Sequence, residues 1–287
     1  MDLPVHIKRA VNRFQPITVE GVTLYPITVD EIDEYGFTRP ALEFMQQILP
    51  VALLQIPILT AFYQLEIASN AQIEDNVPPT NLFTQCVYAL LLALRLGQGM
   101  ERNERIAKRC AYEHDKNDPL KLTRLILIDD DGRTIEITPR LFQRLRPIIA
   151  AQNGSEIPPE NANPDIVLAE RMILAEKAPK LDRNFGKMVA WVSAKCGVDE
   201  ADVYRWPILK FLRRAEVLQR ELDYLIFGIG QAGGIVTYKD GNPCPSPYFA
   251  KITDAVQAKM LKDIGNGAAE KAVSVAMQNQ ISNSKGV

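Results

Sequence analysis

The sequence predicts an α+β chain, predominantly α-helical with two short β-hairpins. Three observations carry that expectation. Most of the chain spaces its apolar residues at helical intervals of three and four. Paired β-branched runs flank a turn dipeptide at two places, Glu20-Gly21 and Asp131-Gly132. Helix-start chemistry follows each of these hairpins, at Thr28 and at Thr138-Pro139.

The elements follow in order. Ile17–Val19 and Val22–Tyr25 form the first predicted hairpin around Glu20-Gly21. Thr28 and Glu31 stand at capping-box spacing, so a helix is expected from near Val29. An apolar helical region then runs to about Ala68, and "SNAQIEDNVPPTN" is a polar loop. Thr80 or Asn81 is positioned to cap a helix that ends near Leu96, at the glycines of "GQG". Charged helical sequence is expected as far as His114, and "KNDPL" breaks it. Leu122–Ile128 and Thr134–Ile137 make the second predicted hairpin, because Asp131-Gly132 tolerates the positive φ of a tight turn. Thr138-Pro139 opens another helix, with proline where its missing N–H costs nothing. A linker, helix from Pro164, and further helix from Lys180 complete the ordered part. The expected organisation is a unit at 1–150, a linker at 151–163, a helical region at 164–262 and a loose tail at 263–287.

Composition narrows the function classes. Hydrophobic residues make up 47% and charged residues 24%, as in ordinary globular domains. The formal charge of −2 lacks the basic excess that phosphate neutralisation demands, so no nucleic-acid partner is expected. Cys86, Cys110, Cys196 and Cys244 lie far apart, and only His6 and His114 join them, so neither disulfides nor a zinc site are expected. Phe44–Leu65 contains no charged side chain and is long enough to cross a bilayer, but Pro50, Pro57 and four glutamines favour buried core helices. The N-terminal residues lack a continuous apolar run, and a cytoplasmic setting is expected.

Chemical motifs are sparse. Gly228, Gly230 and Gly233 match G-x-G-x-x-G, yet a dinucleotide loop needs a strand before it and a helix after it. Here a helical pattern precedes: Ile208, Phe211, Leu212, Ala215, Leu218, Leu222, Leu225 and Ile226 share one face. The glycines are therefore expected to end a long helix and allow reversal into a short strand, with no cofactor bound. Asp129–Gly132 lacks the ligand series of a calcium loop, His114 lacks a partner, and Ser193 and Ser246 lack a nucleophile elbow. No catalytic residue is expected. The remaining candidates for a functional surface are Trp206 and the basic stripe Lys210, Arg213, Arg214 and Arg220, as protein-interaction residues.

The stretch "VYRWPILKFLRRAEVLQRELDYLIFGIGQAGGIVTYKDGNPCPSPYF", with the upstream "TLYPITVDEIDEY", resembles the tail assembly chaperones of long-tailed phages and prophages. The resemblance covers roughly residues 15–65 and 180–250. It implies a non-enzymatic factor of the bacterial cytoplasm, with the tape-measure protein and tail-tube subunits as partners and self-association open. A virion subunit such as a connector or tail-completion protein is the alternative, followed by a DNA-binding accessory protein.

Overall fold

The computed structural model describes residues 3–33, 55–71, 81–155 and 184–234, with Leu49, Leu53, Ile157, Asn163 and scattered positions between 166 and 173. The chain divides into two compact units, residues 1–164 with 182–212 and residues 165–181 with 213–287. Most of the expected helix after Pro164, the strand after Gly234, the loose tail and most of the linker lie outside the described residues, as does most of 44–54; the described positions among 166–173 are helical.

The protein is α+β and mainly helical, with two small antiparallel sheets among the described residues. It opens with a helix not predicted from the sequence, α1 (Val5–Asn12), which buries Val11. The first hairpin follows as expected: β1 (Ile17–Val19) pairs β2 (Val22–Leu24) with Ile17 opposite Leu24 and Val19 opposite Val22. Glu20 and Gly21 take φ of 49° and 82°. Two successive positive φ values give the two-residue turn whose twist matches the strands. Glu20 also forms an ion pair with Arg144.

Tyr25 to Val29 then crosses the first unit as a strap, tied at alternate backbone amides. Tyr25 N donates to Ala93 O at 2.7 Å and Val29 N to Trp206 O at 2.9 Å. Ile27 N donates to Asn153 Oδ1 at 3.1 Å, while its carbonyl accepts from Ile208 N at 2.9 Å. The strap turns into α2 (Val29–Asp33) through the expected capping box, with Thr28 N to Glu31 Oε2 at 2.8 Å and Glu31 N to Thr28 Oγ1 at 3.3 Å.

The core is built around α3 (Ile58–Ala71) and α4 (Leu82–Ala93). Every residue of α4 from Gln85 to Ala93 is buried, so this helix is apolar on all sides and sits inside the unit. Of its two expected caps, Thr80 lies outside the described residues and Asn81 is corrected by the structure. Asn81 occupies the N-cap position but makes no side-chain bond there. The carboxylate of Glu66 on α3 does that work instead, accepting from Thr84 N at 2.9 Å and Thr84 Oγ1 at 2.5 Å. After α4 the chain turns through Gly97 at φ 63°, where an added Cβ would meet Arg105 Cγ at 3.0 Å. Arg105 belongs to α5 (Arg102–Arg109); it is fully buried and donates to Gly97 O at 2.8 Å.

Helix was expected to reach His114, but it stops at Arg109 and gives way to β3 (Cys110–His114). The physical reason lies in β4 (Leu122–Ile128), which buries Leu122, Leu125 and Leu127 and has backbone groups to satisfy on both edges. β5 (Thr134–Ile137) satisfies one edge and β3 the other, giving the order β3-β4-β5. Pairing therefore overrides the helical pattern of residues 110–114. On the exposed face Arg124 bridges the strands, with Nε 2.7 Å from Glu113 and Nη1 3.0 Å from Glu136. Arg124 holds the Glu113 carboxyl below its usual range.

Burial pushes the Cys110 thiol from 9.0 up to about 12. The unfolded chain ionises from pH 9 while the folded chain does not, so this contribution is whole below pH 9 and is lost as pH rises toward 12. Cys110→Ala should flatten the alkaline fall in stability by at most about 1.4 kcal/mol per pH unit. Urea unfolding of wild type and variant at about pH 8, 9.5 and 10.5 checks this, and parallel lines would refute it.

α6 (Pro139–Gln152) starts as read, with Thr138 Oγ1 accepting from Leu141 N at 3.2 Å. It buries Phe142, Leu145 and Ile149. The chain resumes with α7 (Phe185–Cys196), α8 (Glu200–Tyr204) and α9 (Ile208–Ala232). Among the described residues no helix is long and apolar enough to cross a membrane.

Candidate partner-binding surface

α9 carries all the predicted interaction residues except Trp206, which stands two positions ahead of it. Its start is anchored in the first unit. Thr28 bridges to Pro207, and the Val29–Trp206 and Ile208–Ile27 backbone bonds lie on either side. Ile208 and Phe211 are buried, and Phe211 meets Phe185 edge-on with centroids 5.6 Å apart.

The predicted interaction residues are only partly gathered together. The Trp206 ring is half-buried, and Lys210 Nζ lies over it at 4.0 Å. Such a cation–π contact fixes the lysine one turn into the helix. Arg213 and Arg214 are exposed, while Arg220 is half-buried and pairs with Glu216 at 2.8 Å.

The structure divides the face that the sequence placed on one side. Ile208, Phe211 and Ala215 are buried, but Leu222, Leu225 and Ile226 are 43%, 54% and 56% exposed, and Ile229 is 67% exposed. One signal in the sequence marks this continuation. Ile208, Phe211, Ala215, Leu218, Leu222, Leu225 and Ile229 alternate at steps of three and four, which is the repeat of a helix-pairing seam. The seam starts buried at the root of the helix and ends in solvent. Arg213 and Arg220, seven residues apart, fall on the back of the helix relative to it.

The glycine motif is resolved by the same helix. Gly228 and Gly230 lie within α9, and Gly233 and Gly234 follow its end, with Gly234 at φ 67°. Thus two of the three glycines expected to terminate the helix continue it instead. Helix, not strand, precedes and includes the motif, which is the wrong context for a pyrophosphate loop. The other motifs also take ordinary roles. Asp129 Oδ1 accepts from Asp131 N at 3.0 Å and Arg133 N at 2.7 Å, closing the second hairpin turn. His114 does have a neighbour that sequence did not reveal: its Nδ1 is 3.1 Å from Tyr63 Oη. Among the described residues no cluster of histidine, cysteine and carboxylate side chains is placed to hold a metal ion.

No family model, no curated protein and no solved structure matches this chain. The surface must therefore be read on its own chemistry. Exposed leucine and isoleucine at seam spacing, on a helix whose root is fixed, suit a second helix laid alongside.

Proposed function

We propose that the protein is a non-enzymatic assembly factor that holds a helical partner along the distal half of α9. The observation carrying this reading is the seam Leu218, Leu222, Leu225 and Ile229, which continues the buried repeat of Ile208, Phe211 and Ala215 into solvent. The resemblance to tail assembly chaperones supplies the identity of the partner: a phage tape-measure chain, itself a long helix, protected until tail-tube subunits polymerise around it. Burying each leucine against such a helix contributes about 1.5–3 kcal/mol.

Co-expression with a tape-measure fragment encoded at the same locus tests the proposal. The fragment should stay in solution and co-purify. Leu222→Glu combined with Leu225→Glu should weaken capture by about a hundredfold or more, since two anchors are lost and two charges are desolvated. Folding stability should change by no more than ~0.5 kcal/mol, because both side chains are exposed in the free protein. An insoluble fragment, or equal capture by the double variant, overturns the proposal. Finding the protein at stoichiometric amounts in purified particles would make it a virion subunit instead.

A further inference from the structure

A cavity of about 350 Å³ opens beside α3, α4, α5 and β3 in the first unit, remote in sequence from α9. Three aromatic rings line it. Tyr63 and Phe83 stand at 73° with centroids 5.2 Å apart, Phe83 and Tyr112 at 84° and 5.8 Å, and Tyr63 and Tyr112 at 61° and 5.5 Å. The three rings pack edge to face on one another, and Tyr112 is the one left exposed, at 48%. Their geometry is fixed in advance, because Tyr63 Oη is held by His114 Nδ1 at 3.1 Å and Tyr63 and Phe83 are buried.

The charge of the described lining has one sign. Among the described residues that line the cavity, Glu66 is the one carboxylate and there is no lysine or arginine. Cys110, also in the wall, remains a neutral thiol. Each Glu66 oxygen accepts one bond from Thr84, leaving a second lone pair on each. Aromatic faces attract cations through their quadrupole, and a lone carboxylate favours cations and repels anions. The volume falls in the range of small-ligand sites, whose polar groups are few and placed.

We propose that this cavity binds an alkylammonium group, with the exposed Tyr112 ring packing against the cation and Glu66 balancing its charge. The source is either a free quaternary amine or a lysine side chain of a protein partner.

Isothermal titration of the full chain distinguishes these. Choline and 3,3-dimethylbutan-1-ol have nearly the same shape, but only choline is charged. Choline should bind at least about tenfold more tightly than the neutral alcohol, a difference of one factor of ten per ~1.4 kcal/mol. A parallel titration with Nα-acetyl-lysine amide identifies the source: tighter binding than choline assigns the site to a protein side chain, and weaker binding to a free amine. Tyr112→Leu should lose about tenfold for the cation. That ring is half exposed, so the variant folds. Glu66→Gln should lose as much or more, with circular dichroism checking that α4 survives its altered cap. Equal affinity for choline and the alcohol, no cation binding by folded wild type at about 20 mM, or unchanged affinity in Tyr112→Leu overturns the proposal.

Discussion

Phe211→Ala should lower folding stability by about 3–5 kcal/mol, a large part of the margin of an ordinary domain. The ring is fully buried and meets Phe185 at 76°. Its removal forfeits transfer free energy, leaves a cavity that the rigid root of α9 cannot close, and deletes an aromatic pair contributing about 0.5–1.5 kcal/mol. Leu225→Ala is the matched control on the same helix. That side chain is 54% exposed, and its truncation should cost no more than ~0.5 kcal/mol. Urea unfolding followed by circular dichroism measures both. A loss below about 1 kcal/mol at Phe211 would mean that the root of α9 is not packed as described.

Asn153→Ala should cost about 2–4 kcal/mol through a different mechanism, the stranding of buried polar groups. Asn153 is buried; its Oδ1 accepts from Ile27 N at 3.1 Å and its Nδ2 donates to Ile149 O at 2.7 Å. Alanine removes both partners and leaves the strap amide without an acceptor. Asn153→Asp sharpens the test. Ionised, the carboxylate still accepts from Ile27 but faces the Ile149 carbonyl without a proton to offer. Protonated, it restores both bonds. Burial and the carbonyl raise the folded pKa of this introduced acid above its unfolded value, so its stabilising contribution is present at low pH and lost as pH rises. Asn153→Asp should therefore approach wild-type stability near about pH 4 and resemble Asn153→Ala near about pH 7. A variant equally stable at both values would show that the two hydrogen bonds do not govern the site.

What the sequence revealed is what neighbouring residues decide among themselves. Glu20-Gly21 and Asp131-Gly132 impose their turns locally, and the Thr28–Glu31 and Thr138–Leu141 bonds close within one helical turn. What it concealed depends on distant partners. Cys110–His114 is extended because β4 has a second edge to pair, a demand written well downstream. The cap of α4 comes from Glu66 rather than Asn81, since the adjacent helix delivers a carboxylate to Thr84. Amphipathic spacing placed Ile208 and Leu225 on one face of α9, yet spacing records which side is apolar and not where its cover stops. Tyr63, Phe83 and Tyr112 come from three separate elements, so no short motif announces their edge-to-face cluster.

The strap has a consequence for how the chain is made. Residues 27–29 reach their backbone partners at 206–208 only after some 180 further residues have been added. A ribosome releases the amino-terminal hairpin long before its counterpart exists, so the nascent first unit waits with Ile27 and Val29 uncovered. Closure of so wide a loop is slow compared with local helix formation. Chains halted before Phe211 should accordingly be recognised as unfinished by holdases and proteases, whereas chains released after it can close.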